Sequence, residues 1–378
     1  ILDEITNGNG AVQAIDKAAE LLGWGTPKAS TSGPWKRGRA IDIGNVYINP
    51  LVTKPLTHVR LGANPNVDIF ASVHDLGTQI NTTMAMIAAD IFKIPPGNCI
   101  VTDLDTDHTP FTGSAYANQQ AYVAGGSLKK ACEDAKNKMF EAAAPILGAN
   151  KEDLDTKDGV IFAKGDPENS IPWAQVMKGT QPFILGTGET HLPMDNENIE
   201  TMKCEPKKWA RMNMLYMHTG TGIELIVNTD TGEVILEKVT NVTDCRPVNV
   251  WASDQQSEMT NNYMGAGLYT EMIQDQSNGL YLNTSYLEQK WPGALDVPCE
   301  EGGTQVYHCG NPGRVECQGI EEPWPDVWGV FGAGKGLSES VIVNCQSAIA
   351  NALTDALGVR FNKSPIERRD ILQALGKA

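Results

Sequence analysis

Two pairs of alternating apolar runs, each joined by turn-forming residues, most limit what this chain can fold into. Residues 58–61 and 67–73 alternate apolar and polar side chains on either side of a turn rich in Gly, Asn and Pro. Residues 223–227 and 233–239 do the same on either side of the turn at 228–232. Such patterns are typical of β-hairpins. The chain is therefore expected to contain two hairpins that lie far apart in sequence.

Helical spacing of apolar residues marks a second kind of segment. Val12, Ile15, Ala19 and Leu22 share one face of a predicted helix over residues 11–22, which Gly10 and Gly23 would bracket. Further helices are predicted over residues 81–92, 129–147 and 347–357. Residues 25–38 have the composition of a linker or extended arm, and residues 359–361 read as a short strand.

These patterns suggest how the chain is divided. Its 378 residues, 41% of them apolar, are enough for two domains. An N-terminal helix and arm would occupy residues 1–40, a first domain residues 41–200, and a second domain residues 201–378.

Charge and hydropathy exclude some function classes. The formal charge of −16, without a long run of Lys or Arg, argues against a nucleic-acid partner. No stretch approaches the roughly 18–20 apolar residues that a membrane span needs. The chain begins at Ile1 and shows no basic and apolar leader pattern. A cytoplasmic location is the expectation, with the periplasm left open.

The cysteines do not have the spacing of a small disulfide scaffold or of a zinc site. Eight are spread along the chain, and no CxxC occurs. Cys299, Cys309 and Cys317 do cluster around His308 in a loop-like stretch, where free thiols, a disulfide and a bound metal all remain open.

Four short segments, which follow one another along nearly the whole chain, resemble segments of the large subunit of the molybdenum hydroxylases. This is the xanthine dehydrogenase and aldehyde oxidoreductase family. The four segments are Asp75–Gln79 with the helix after it, residues 109–126, residues 228–244, and the GAGKGLSES stretch at residues 332–340, which resembles G-A-K-G-x-G-E. The helix ending in LLGW and the basic stretch at residues 36–40 resemble the family more weakly.

The resemblance is to the C-terminal half of that subunit. It implies an α+β fold with two similar-sized molybdopterin-binding domains. The family's Gly-rich G-G-G-F-G-G-K loop and its Arg-containing substrate loop, which belong to the first half, are missing here. The simplest interpretation is a split subunit, as in nicotinate dehydrogenase, whose other half is on a partner chain. A fragment of a longer polypeptide would look the same.

The resemblance also implies a cofactor and partners. The cofactor would be a molybdenum-pterin, with molybdopterin cytosine dinucleotide the expected form, and it would carry the redox chemistry. Iron-sulfur clusters and FAD would be on partner subunits. The expected reaction oxidises a C–H bond of an N-heterocycle or aldehyde with oxygen derived from water. The alternatives are reductive dehydroxylation of an aromatic CoA thioester and a non-catalytic structural subunit.

Glu339 matches the family's general base, the carboxylate that accepts a proton during turnover. Lys335, Gly336 and Ser338 of the same turn would contact the cofactor, although Ser338 stands where the family has Gly. Glycine lets the backbone approach a ligand closely. A carboxylate that only complements a helix dipole is the other interpretation of Glu339.

Three more polar groups are candidate cofactor contacts. Gly77, Thr78 and Gln79 lie between a predicted strand and a helix, where backbone amides can bind the pterin or its phosphates. Asn118, Gln119 and Gln120 align with the stretch that grips the pterin, and Gln256 lies where relatives carry G-Q-I-E-G-G. A plain turn, a polar helix surface and a solvated loop are the respective alternatives.

No protein metal ligand is assigned, because in this family the pterin dithiolene holds the molybdenum. His74 and His108 flank the candidate loops, but neither has metal-ligand spacing. The long segment between Pro298 and Trp328 precedes the Glu339 turn and suggests a lid or a partner contact.

Overall fold

The computed structural model describes residues 10–47, 54–112, 115, 118–178, 182–190, 216–245, 252–293, 296, 298–299, 311–312, 314–320 and 335–378. Its helices, in chain order, are α1 Ala11–Leu22, α2 Ile80–Phe92, α3 Gly125–Leu147, α4 Trp173–Met177, α5 Ala252–Leu268, α6 Ser338–Ile342, α7 Cys345–Leu357 and α8 Arg368–Ala374. A π-helical turn, Gln120–Ala124, leads directly into α3.

The strands make up sheets of two to four strands. In chain order they are β1 Trp35–Tyr47, β2 Leu56–Gly62, β3 Val67–Phe70, β4 Cys99–Thr102, β5 Leu154–Lys157, β6 Val160–Ala163, β7 Asp166–Pro172, β8 Phe183–Glu189, β9 Tyr216–Asn228, β10 Val234–Thr243, β11 Pro298–Cys299, β12 Asn311–Pro312 and β13 Arg314–Gly319. This mixture of helices and largely antiparallel sheets is the predicted α+β class.

One four-stranded sheet has the order β1-β9-β10-β13 and contains the second predicted hairpin. α1 and α7 pack on its two faces. Gly220 and Gly222 of β9 face α1, so closely that a Cβ on Gly220 would lie 2.5 Å from the carbonyl oxygen of Ala14. The alternate residues Ile223 and Leu225 pack in the core that includes α7. β9 is therefore buried on both sides.

The other four-stranded sheet has the order β4-β3-β2-β8 and contains the first predicted hairpin, β2 and β3. α2 and α3 pack on it around a separate hydrophobic core. Gly186 and Gly188 of β8 let α3 approach, because a Cβ at either position would overlap the α3 backbone. Trp173 of α4 closes this core, with its ring centroid 5.6 Å from that of Phe92.

The helix predictions are confirmed where local caps determine the ends. α1, α3 and α7 end before Gly23, Gly148 and Gly358, each in the left-handed conformation that glycine adopts easily. The predicted α1 face is partly wrong, since Val12 is 66% exposed. Ala14 and Ala18 are buried instead, because only small side chains fit over the glycines of β9.

Three other predictions need correction. The arm expected over 25–38 already contains strand from Trp35 onward, paired with β9. β3 ends at Phe70 rather than Val73. After Phe70 the backbone turns, so that the Ala71 amide bonds the Thr102 carbonyl oxygen and the Ser72 amide bonds the Thr112 hydroxyl. Residues 359–361 form no strand, because β-propensity alone supplies no neighbouring strand for a ladder.

The predicted domain limits can be placed on this topology. The limit between residues 40 and 41 falls inside β1, which belongs to the sheet of β9 and β10. The chain passes to the other sheet between Tyr47 and Leu56 and returns between Glu189 and Tyr216. The division into residues 1–40, 41–200 and 201–378 stays a prediction. In the part of the chain that the structure describes, we find no helix that could cross a membrane.

Candidate functional site

The turn before α6 carries the candidate base. Lys335 and Gly336 are buried, and α6 begins at Ser338, so Glu339 is in the first helical turn and is half-buried. The predicted arrangement of a glycine-containing turn followed by a helix is confirmed for these residues. Residues 331–334 lie outside the described part of the chain.

Asn118 lies against this turn. Its side-chain Oδ1 accepts a hydrogen bond from the backbone amide of Glu339 at 3.3 Å. A Cβ on Gly336 would overlap the Asn118 Cβ and would lie 2.7 Å from the Asn118 carbonyl oxygen. Asn118 has a φ of 54°, a left-handed conformation that Asn tolerates better than most residues. The structure thus brings together three of the predicted site residues.

A buried ion pair holds the other end of the turn. The Lys335 Nζ lies 3.0 Å from Asp244 Oδ2, and the two side chains are 4% and 0% exposed. The same carboxylate accepts hydrogen bonds from the backbone amides of Gly10 at 3.1 Å and His218 at 2.7 Å. Asp244 directly follows β10, so the pair joins the Glu339 turn to the end of a central strand.

Burial dominates the electrostatics of this cluster. It raises the pKa of Asp244, against the opposing effects of Lys335 and the His218 amide, which favour the carboxylate. Burial also lowers the pKa of His218 and raises the pKa of the Cys245 thiol to about 12. The Cys245 thiol donates a hydrogen bond to the Lys335 carbonyl oxygen at 2.9 Å.

Lys335 was predicted to contact the cofactor. Its ammonium is instead engaged by Asp244 inside the protein. The sequence reasoning did not assign site roles to Asp244, Cys245 or His218. The available signal was an acidic residue directly after the largely β-branched run V-T-N-V-T at residues 239–243, because an acid that is buried at the end of a strand needs a charged or hydrogen-bonding partner.

The loop between β3 and α2 has a defined turn. Asp75 Oδ1 accepts hydrogen bonds from the amides of Gly77 at 3.1 Å and Gln79 at 3.0 Å. Gly77 and Gln79 have φ values of 91° and 54°. Thr78 and Gly77 are exposed. Two of the backbone amides that were expected to face a cofactor therefore already bond Asp75.

The polar stretch at 118–120 is connected to this loop. With its amide oriented to satisfy both atoms, Gln120 donates to the His74 carbonyl oxygen at 3.1 Å and accepts from the His74 amide at 2.8 Å. Gln119 is buried. Gln120 thus ties the segment that carries Asn118 to the residue before Asp75.

The remaining candidates are less well defined. Gln256 lies within α5, so the solvated-loop alternative for this segment is wrong, but its side chain lies outside the described residues. The same is true of the side chains of Ser338 and Cys299 and of all of Cys309 and His308. Cys317 Sγ lies 4.0 Å from Thr260 Oγ1.

His108 forms a pair with Asp105 at 2.9 Å on the surface. Within the described residues, no group of three or more His, Cys, Asp or Glu side chains is arranged to hold a metal ion. Most of the segment from Pro298 to Trp328 lies outside those residues, and its predicted role as a lid or partner contact stays a prediction.

Comparison with known proteins identifies what the chain is similar to. Residues 17–298 match the sequence model of the molybdopterin cofactor-binding domain. The probable hypoxanthine oxidase XdhD of Escherichia coli K12 is 25% identical over 371 residues, which are 97% of this chain and 35% of that protein. The nicotine 6-hydroxylase large subunit of Paenarthrobacter nicotinovorans is 23% identical over 79% of this chain and 34% of its own length.

Solved structures show the same fold. Reconstituted CO dehydrogenase from Oligotropha carboxidovorans superposes with a TM-score of 0.78 at 18% identity, over 98% of this chain and 45% of that chain. The predicted fold of the molybdopterin-binding type is therefore confirmed. The chain spans about a third of the length of the two curated relatives and less than half of the structural neighbour.

Proposed function

Because the chain belongs to the molybdopterin cofactor-binding domain family, we propose that it forms part of a molybdenum enzyme that oxidises a substrate C–H bond with oxygen derived from water. The substrate class is an N-heterocycle or an aldehyde, and Glu339 is the general base. The matched residues end at 298, so the role of Glu339 rests on its motif and on its surroundings.

One observation supports this role above the others. Glu339 is in the first turn of a short helix whose approach is held at two places, by Asn118 and by the Lys335–Asp244 pair. A carboxylate that only complemented the dipole of a five-residue helix would not need a buried ion pair four residues earlier. A general base does need such control, because proton transfer requires hydrogen-bond distance from its donor.

The residues at the site fit a polar cofactor. Asn118 Nδ2 is buried and has no hydrogen-bond partner among the described residues, although a buried amide N–H is costly to leave unpaired. Gly336 leaves no Cβ between the turn and Asn118. A molybdenum-pterin would satisfy such a donor, and it would supply the redox chemistry of the reaction.

The other residues predicted to contact the cofactor are proposed to hold it. They are Gly77, Thr78, Gln79, Asn118, Gln119, Gln120, Gln256, Gly336 and Ser338. Lys335, whose ammonium binds Asp244, is proposed to act through that ion pair. We propose cytosine as the nucleotide of the pterin, which can be tested by acid release and chromatography of the nucleotide.

Glu339 accepts on a carboxylate oxygen the proton that the water-derived oxygen loses when it bonds to the substrate carbon. The C–H bond of that carbon breaks, and its two electrons belong to the redox chemistry that the cofactor would supply. The half-buried position of the side chain limits the competing contact with bulk water. The Glu339 backbone amide, bonded to Asn118, keeps the start of α6 in place while the side chain exchanges the proton.

The partner chain would carry the rest of the length found in the relatives, and iron-sulfur and flavin subunits would accept the electrons. Exposed apolar side chains support the first part of this proposal. Between Met272 and Trp291 they are Met272, Ile273, Leu280, Tyr281, Leu282, Tyr286, Leu287 and Trp291. An exposed apolar patch of this kind marks an interface more often than a free surface.

The experiment is Glu339→Gln in the assembled enzyme. The amide has the same shape but cannot accept the proton, so turnover should fall by about a hundred- to ten-thousand-fold while molybdenum content is retained. Single-turnover reduction of the metal centre by substrate would be measured together with molybdenum content. Glu141→Gln is the matched control. Glu141 is on α3 and forms an exposed pair with Lys151, which the change alters.

Reduction of the Glu339→Gln enzyme at the rate of the control, with full molybdenum occupancy, would show that Glu339 is not the base. Loss of molybdenum together with activity would make it a structural residue. In either case the assigned mechanism fails.

A further inference from the structure

We propose that Asp244 and Lys335 are positioning residues, which hold the Glu339 turn against Asn118 and so set the place from which Glu339 acts. This inference rests on the proposed role of Glu339 as the general base. The two residues act through the turn and are not themselves assigned contact with substrate or cofactor.

Asp244 itself is held firmly. It follows β10, and its two carboxylate oxygens bond the backbone amides of His218 and Gly10 as well as Lys335. Its own amide donates to the His218 carbonyl oxygen at 3.0 Å. Asp244 is thus a fixed point of the sheet formed by β9 and β10, to which α1 also connects through Gly10.

Lys335 is held at both its side chain and its backbone. Its ammonium bonds Asp244, and its carbonyl oxygen accepts from the Cys245 thiol. The first described residue of the turn is therefore attached to Asp244 and Cys245, two consecutive residues that follow β10. The next residue, Gly336, packs on Asn118 without space for a side chain. From there the chain reaches the Glu339 amide, which bonds Asn118 again.

Stability alone does not explain why an ion pair occupies this place. A buried ion pair contributes little net stability, because desolvation of the two charges offsets their attraction, and apolar residues of equal volume often stabilise as well. Its bonds do have direction, which packing between aliphatic side chains lacks. The pair is therefore better explained by a requirement for one defined position of the turn than by stability alone.

A small displacement of this turn is enough to matter. Catalytic groups act at near-contact distances, and a misplacement of about 1 Å can reduce a rate by roughly a hundredfold. Removing one member of the pair also leaves a buried charge without compensation. A variant that removes both charges is therefore required to separate position from stability.

The test uses the assembled enzyme with Lys335→Met, Asp244→Asn and the double variant of both. In the double variant, Met fills the volume of the lysine stem, and the Asn oxygen can still accept from the His218 amide. Lys93→Met, which removes the partly exposed pair between Lys93, the residue after α2, and Asp155 of β5, is the matched control.

Two readouts are made on each variant. Hydrogen–deuterium exchange of peptides covering residues 335–345 reports the position of the turn without any need for turnover. kcat and KM, corrected for molybdenum content, report its effect on the reaction. We expect at least tenfold faster exchange at the start of α6 in Lys335→Met and in the double variant. kcat should fall ten- to a hundredfold with KM nearly unchanged.

We also expect the double variant, in which the Gly10 amide loses its acceptor but no buried charge is left unpaired, to unfold at a higher temperature than either single variant. Wild-type exchange and kcat in the double variant would overturn the positioning role. A third outcome is faster exchange in the double variant together with full kcat in both the double variant and Glu339→Gln. It would show that the pair holds the turn but that Glu339 is not the base. That outcome contradicts the proposed function rather than the attachment of the turn.

Discussion

The backbone amide of Glu339 donates a hydrogen bond to the side-chain oxygen of Asn118, across 221 positions of sequence. Asn118 precedes the π-helical turn that leads into α3, on the side of the molecule organised by β2 and β8. Glu339 starts α6, which contacts β1 and β9. This contact therefore joins the two sheets at the candidate site.

Asn118→Asp should lower the cofactor content of the enzyme. Asp keeps the acceptor for the Glu339 amide and tolerates the positive φ, but it removes the Nδ2–H donor and adds a negative charge. Losing one hydrogen bond of ordinary strength weakens binding by up to roughly tenfold. Pterin released by oxidation would be measured by fluorescence. Asn64→Asp, in an exposed turn, is the control, and equal pterin content in both variants would contradict the assignment.

Gly336→Ala should destabilise the protein and displace the turn. The added methyl group would overlap Asn118, and inserting a methyl group into a packed region costs about 1–3 kcal/mol. Gly165→Ala is the control, because a Cβ there meets no atom within 4 Å. Denaturant unfolding of both variants would be compared. If they unfold at the same midpoint, the close approach of Gly336 to Asn118 is not present in solution.

Buried thiols should make stability fall at alkaline pH. Burial raises the pKa of Cys99 from 9.0 to about 12, so the folded state keeps a proton that the unfolded chain loses. The contribution of the buried, protonated Cys99 thiol to the free energy of unfolding is complete below pH 9. It decreases as the pH rises from 9 towards the pKa of the folded state. The slope is at most about 1.4 kcal/mol per pH unit for each such thiol.

Cys99→Ala should therefore flatten the dependence of unfolding free energy on pH, measured in urea between pH 8 and pH 10.5. Val67→Ala, at the paired position of β3, removes a buried side chain without a titrating group and should shift the curve by a constant amount. Parallel curves for wild type and Cys99→Ala would mean that this thiol titrates normally in the folded protein.

Leu287→Lys should reduce self-association of the chain when it is produced without a partner. Leu287 and Tyr286 are 96% and 84% exposed, within a segment rich in exposed apolar residues. A charge there opposes burial against another protein surface. Leu185→Lys, on β8 away from that segment, is the control. Sedimentation would measure association, and equal self-association of both variants would exclude the 272–291 segment as its cause.

Local chemistry was enough to predict much of the secondary structure. The hairpins follow from alternation and turn residues, and α1, α3 and α7 end where Gly23, Gly148 and Gly358 can adopt a positive φ. The Gly-containing stretch that carries Glu339 was also identified, because a motif of nine consecutive residues contains it. Each of these features depends on residues that are close in sequence.

Sequence patterns did not identify Asp244 as a partner of Lys335, and they predicted the wrong exposure for Val12. Lys335 bonds Asp244 across 91 positions, and α1 turns its alanines inward because β9 presents glycines to it. Periodicity and caps act within one or two turns of chain, so the sequence by itself determined four helices, two hairpins and the position of the motif that carries the candidate base. Only the packing of two sheets decided which distant side chains meet, because burial and ion pairing depend on contacts that no local pattern encodes.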